Sequence, residues 1–138
     1  NYLQRLSGPL LDRIDLQVAV QRPSPEVLLM PKKGLDTQTA KRWVVKAQVR
    51  QLARSGLLNG DLPWAELEAC TKLKSVDDKL LKNAISRLHL SPRGIHKVLR
   101  VARTIADLDH TNTIHKNHLL EALSYRRLDI LSMEIEQA

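Results

Sequence analysis

The chain has 138 residues, 43% of them apolar, a length and composition that fit a domain with a real core and exclude wholesale disorder. Aromatic residues make up only 3%, with no phenylalanine, so the core must come from leucine, valine, isoleucine and alanine, which suits packed helices better than a sandwich. A net charge of +7 favours polyanionic partners. The single Cys70 excludes an internal disulfide and fits a reducing cytoplasm, and no apolar run reaches the ~18 residues of a membrane span.

The chain opens on Asn1 and enters patterned sequence at once, as a piece of a longer protein would. Residues 1–22 predict a short helix or loop and then a strand, "IDLQVAVQ", in which Leu16, Val18 and Val20 alternate. Within it Arg13 stands between Asp12 and Asp15 in otherwise apolar surroundings. Residues 23–38 hold three of the six prolines and read as a linker, with a brief extended patch at residues 27–30. Helical patterning starts there and continues through residues 39–138.

The first helix spans residues 39–55, with Thr37 as N-cap and Gly56 as the stop. Ala40, Trp43, Val44 and Ala47 should face the core. Arg42, Lys46, Arg50 and Arg54 follow one another at i, i+4 as a basic stripe with no acidic residue in it. "PWAELEACTKL" predicts a short helix with proline at its first position, and Cys70 there reads as core. "SVDDKLLKNAISRL" follows, capped by Ser75 and burying Leu80, Leu81, Ala84, Ile85 and Leu88.

The sharpest amphipathic pattern covers residues 92–108, with Ser91 as cap and Pro92 at the first helical position. Ile95, Val98, Leu99, Val101, Ala102, Ile105, Ala106 and Leu108 fall on one side. Arg93, His96, Lys97, Arg100, Arg103 and Asp107 fall on the other, as a solvated face would. "IHKNHLLEALSYRRL" predicts the last helix, burying Leu119, Leu120, Ala122 and Leu123, and residues 129–138 extend it or fray. The expected architecture is mainly α: a helical bundle preceded by one strand and a linker.

No Walker-type glycine loop is present, so the chain does not cradle a triphosphate by itself. His115 and His118 lack the further ligands a metal needs and read as a helix-start and a surface histidine, so no metal site is expected. Like charges along the basic stripe repel by a few tenths of a kcal/mol per pair, which a polyanion or a neighbouring subunit would recover. The stripe is therefore the candidate for DNA or subunit contact. Arg93 lies in a first turn, where the helix dipole disfavours a cation unless a phosphate is placed there, which makes it a nucleotide-binding candidate.

Taken together, "SGPLLDRIDLQVAV", "VVKAQVRQLARSGLLNGDL", "LSPRGIHKVLRVARTIADL" and "HLLEALSYR" resemble the magnesium-chelatase-like AAA+ proteins, above all their bacterial YifB/ComM branch. The resemblance covers essentially the whole chain. It implies that residues 1–22 are the end of an ATPase core, 23–38 a linker and 39–138 a helical C-terminal lid. It further implies a self-assembled ring, usually a hexamer, with ATP and Mg²⁺ held between subunits mainly by residues outside this chain, and no tight nucleotide binding by this fragment alone. On the family pattern Arg13 matches the catalytic arginine finger, with Asp12 and Asp15 orienting its guanidinium, and Arg93 matches the second sensor arginine of the lid. Gln48 stands where the family usually has arginine, and Pro92 where it usually has alanine. By the same resemblance the parent is a cytoplasmic motor on DNA, moving branched recombination intermediates. The alternatives are a free-standing basic helical DNA-binding module, or the lid of a chelatase that inserts metal into a tetrapyrrole.

Overall fold

The computed structural model describes residues 10, 12–18, 20–29, 34–73 and 75–126. Its helices are α1 (Pro25–Leu29), α2 (Thr37–Ser55), α3 (Trp64–Cys70), α4 (Ser75–Arg87), α5 (Pro92–Leu108) and α6 (Lys116–Ser124). The expectations for residues 1–9 and 129–138 lie outside the described residues.

Helix α5 is the axis of the bundle, with α2, α3 and α6 packed against it and α4 packed on α6. Its start is fixed locally: the Ser91 side chain accepts from the Gly94 amide at 3.0 Å, and Pro92 at the first helical position has no N–H to leave unpaired. Val98, Leu99, Ala102, Ile105 and Ala106 of α5 meet Leu119, Ala122 and Leu123 of α6, with Leu81, Leu90 and Ile114 completing the core. Each such branched side chain contributes about 1.5–3 kcal/mol on burial. Two helices end on histidine in the left-handed region, His89 after α4 and His110 after α5. In each case the next amide reaches back five residues, Leu90 to Ile85 and Thr111 to Ala106, which satisfies a terminal carbonyl.

Helix α2 begins at Asp36, whose carboxylate accepts from the Thr39 amide at 2.9 Å, so the cap is Asp36 and not Thr37. It ends at Gly56 as expected, at φ 71°, with the Gly56 amide donating to Leu52. Trp43 and Val44 do not face the core; they are 50% and 49% exposed. The reason is a length mismatch. Arg54 of α2 faces Asp107 near the end of α5, and Arg50 already meets Asn112 beyond it. Earlier turns of α2, rising 1.5 Å per residue, therefore run past the end of their partner helix.

The strand expected at residues 14–21 is replaced by a single parallel bridge, Gln17 to Arg126. Leu16, Val18 and Val20 are exposed, so their alternation buries nothing within the described residues. The patch expected to be extended is helical as far as Leu29, because Pro25 suits a first helical position; Met30 is outside the described residues. Ser75 is the first residue of α4 rather than its cap. Leu108 and Leu120 are also more exposed than their helical phase suggested. Among the described residues no helix is long and apolar enough to cross a membrane.

Candidate functional site

The largest departure from the expected pattern is on α5. Arg103 and Asp107, assigned to a solvated face, are both 0% exposed. Burying an unpaired charge would cost several kcal/mol, so partners must surround them, and they do. Arg54 reaches across from α2 and holds Asp107 through two contacts, at 2.7 and 3.0 Å. Asn59 adds a third at 2.9 Å and Arg103 a fourth at 3.0 Å. Arg103 also donates to the carbonyls of Asn112 and Thr111, at 2.8 and 2.6 Å. Burial pushes Asp107 up, but the hydrogen bonds from Arg54 and Asn59 and the charges of Arg103 and Arg54 outweigh it and leave its carboxyl below the usual range. The hydrogen bond to Asp107 raises Arg54, whereas burial lowers Arg103.

The sign of the pH effect follows. A depressed carboxyl stabilises the fold fully above its unfolded value near 3.8 and ceases to do so as pH falls through its lower folded value. The urea midpoint of the wild type should therefore fall more steeply below about pH 4 than that of an Asp107→Asn variant. Parallel midpoints in the two proteins would show that Asp107 carries no such linkage.

The basic stripe on α2 thus divides. Arg54 is committed to Asp107, and Arg50 donates to Asn112 at 2.7 Å, so these two tie α2 to the bundle. Arg42 donates to Thr39 on its own helix and, like Lys46, is exposed. Arg54 does have a balancing acid, but 53 residues away and not at i, i+4.

A second cluster forms at the other end of α5. Arg126, 1% exposed, donates to the Ile14 carbonyl at 2.7 Å and approaches Asp12 at 3.4 Å. Its guanidinium lies against the first turn of α5: a Cβ built on Gly94 would sit 3.8 Å from Arg126 Nη2. Lys97, one turn further along α5, pairs with Asp15, and the Gln17 amide donates to the Tyr125 carbonyl at 2.8 Å. Residues 12–17 are therefore laid across the start of α5 and the end of α6. Asp12 and Asp15 do not orient Arg13 as expected; they are held by Arg126 and Lys97. Arg13 itself is exposed, between two anchored residues, and among the described residues its side chain has no partner. Arg93, in the first turn of α5, is likewise exposed and without a side-chain partner among the described residues. Two guanidinium groups without a side-chain partner among the described residues thus lie at the same end of the bundle. Lys97 and Arg126, the residues that hold this arrangement, carry no local signal in the sequence, since their partners lie 82 and 114 residues away.

His118 is not on the surface. It is 1% exposed, accepts from the His115 amide through Nδ1 at 3.1 Å and meets Asp109 through Nε2 at 3.1 Å, closing the start of α6. The accepting Nδ1 fixes the proton of the neutral ring on Nε2. Among the described residues no three His, Cys, Asp or Glu side chains gather where they could hold a metal. Cys70 is partly buried, a free thiol directed at the Leu67 carbonyl.

Two family models match the chain. The family model described as magnesium chelatase, subunit ChlI C-terminal, matches residues 34–126, and that of magnesium chelatase, subunit ChlI, matches residues 1–28. The chain is 40% identical to the uncharacterized protein YifB of Escherichia coli K12, over 99% of this chain and 27% of that protein. It is 41% identical to the competence protein ComM of Haemophilus influenzae, over 92% of this chain and 25% of that protein. An uncharacterized protein of Mycobacterium tuberculosis H37Rv is 30% identical over 91% of this chain and 26% of its own length. The chain thus spans about a quarter of the length of the curated relatives it matches. The clamped segment 12–17 and the helical bundle behind it belong to the magnesium chelatase ChlI family of AAA+ proteins, in a member of the YifB/ComM type.

Proposed function

We propose that this region completes the ATP sites of a ring-forming AAA+ ATPase, each copy bringing Arg13, as arginine finger, and Arg93, as sensor arginine of the lid, to nucleotide held between subunits. The observation that carries the reading is the presence of two exposed guanidinium groups, both without carboxylate partners among the described residues, at the same end of the helical bundle. Those groups and the adjacent helix N-terminus fit the phosphates of a nucleotide. The described residues do not fit its magnesium ion, and no role in holding it is assigned to them. When bound, ATP supplies the phosphoryl group that is transferred to water. Arg13 places fixed positive charge where negative charge develops in that transfer, a contribution requiring no reorganisation at the moment of reaction. Arg93 ties the position of α5 to the phosphates, and so the position of the lid to nucleotide state.

The parent acts on DNA in this reading, as a cytoplasmic motor on branched recombination intermediates. The competence role for which the Haemophilus relative is named and the +7 charge support it. Lys46 and Arg42, the outward half of the α2 stripe, are the contact candidates; Arg50 and Arg54 contribute through the placement of α2. The full-length protein should turn over ATP faster with forked DNA than with a porphyrin and Mg²⁺. The reverse preference would identify a metal-insertion complex instead. The isolated chain, should it bind DNA tightly with a steep salt dependence, would instead be a self-sufficient DNA-binding module.

Arg93→Ala in the full-length protein should weaken the nucleotide response by an order of magnitude or more, with the melting temperature of the lid unchanged, because the side chain is exposed and has no hydrogen-bond or ion-pair partner among the described residues. A substantially lowered melting temperature with a normal nucleotide response would make Arg93 a structural residue.

A further inference from the structure

Arg13 and Arg93 belong to segments far apart in the chain, yet one side chain of α5 ties them together. Lys97 follows Arg93 by four residues, so the two stand on the same face of the helix, with Cβ atoms about 5–6 Å apart. The Lys97 ammonium pairs with the carboxylate of Asp15, two residues after Arg13. Two residues of chain span at most about 7 Å, so Arg13 is tethered to the turn of α5 that follows Arg93. On its other side the Arg13 amide donates to the Leu10 carbonyl at 3.0 Å, which closes a turn around it.

The pair is poorly placed to stabilise the fold. The Asp15 side chain is 54% exposed, and ion pairs so open to water contribute little. Its effect is geometric instead. Arg126 and Tyr125, which also hold residues 12–17, follow α6, whereas Lys97 ties the segment to α5, the helix that carries Arg93.

We infer that Lys97 is a positioning residue for Arg13, a role that rests on Arg13 being the finger and Arg93 the lid sensor of the proposed ATPase. By holding Asp15, Lys97 makes the finger move with α5, so that a lid shifted by nucleotide contact at Arg93 carries Arg13 with it.

The test is steady-state ATP turnover of the full-length protein. Lys97→Met keeps the aliphatic stem and removes the charge. Turnover should fall about tenfold or more, the cost of a reacting group held loosely near its target. Nucleotide affinity and the melting temperature of the lid should stay as in wild type, since Arg93 is untouched and Asp15 remains solvated. Lys97→Arg should keep most of the turnover. Exchanging the charges, Lys97→Asp with Asp15→Lys, should recover part of what either change alone removes. In an Arg13→Ala background Lys97→Met should cost nothing further, because the group through which it acts is gone. If the two losses multiply instead, Lys97 acts independently of Arg13 and the proposal is overturned. It is overturned equally if Lys97→Met turns over at the wild-type rate while Arg13→Ala does not, a result that leaves the finger itself standing. Full turnover in Arg13→Ala alone removes the finger, and the positioning role with it.

Discussion

Replacing Asp107 with alanine should destabilise the helical domain by about 3–5 kcal/mol, the cost of breaking a buried ion pair from one side. The change removes no large apolar volume. It leaves Arg103 fully buried with its carboxylate gone, and it strips Arg54 and Asn59 of their common acceptor. Helix α2 is joined to α5 in part through that acceptor, so the loss should loosen α2 as well as lower the unfolding midpoint. Asp107→Asn should cost less, since an amide oxygen still accepts, but not nothing, because the compensating charge is lost. Urea unfolding of the isolated chain measures both. A cost below about 1 kcal/mol for the alanine variant would place the network among ion pairs of no consequence to stability.

That network also shows where the sequence is legible and where it is not. The ends of α5 and the stop of α2 could be read directly, because Ser91-Pro92 and Gly56 act through contacts within a few residues. So could the apolar face of α5, which fixes its phase. The burial of its polar face could not, because 3.6-residue periodicity cannot distinguish charges facing water from charges facing a partner 53 residues away. Trp43 and Val44 have the helical phase of core residues and fail only because α5 ends before they are reached. His118 was hidden for a similar reason: its role depends on Asp109, across a turn. Leu16, Val18 and Val20 alternate as strand residues should, but alternation becomes a strand only where a partner strand lies alongside. For the site, Arg13 and Arg93 came from motif resemblance and from first-turn electrostatics. The clamp formed by Lys97 and Arg126 needed the folded chain, which alone brings residues 12–17 to the start of α5.

Arg13→Ala in the full-length protein should lower ATP turnover by about 10³-fold or more while leaving nucleotide affinity nearly unchanged. The reason is how the side chain is presented. Its neighbours Asp12 and Asp15 are spent on Arg126 and Lys97, so the guanidinium is held out on a fixed backbone with its charge uncompensated among the described residues. A group placed in that way contributes to the transition state more than to binding, so turnover and not affinity should register its loss. Arg13→Lys should not restore the rate, since an ammonium cannot form the planar two-point contact of a guanidinium. A variant that loses affinity and turnover together would point to a binding role.

Whether that guanidinium acts across a subunit boundary is decided most directly by mixing two inactive proteins. One carries Arg13→Ala with its own nucleotide pocket intact; the other keeps Arg13 and has its pocket disabled. In head-to-tail assemblies formed from equal amounts of both, about a quarter of the interfaces join an intact pocket to an intact Arg13, and ATPase activity should return to about that fraction of wild type. If mixed assemblies form and hydrolyse no more ATP than either protein alone, Arg13 does not serve its neighbour's nucleotide.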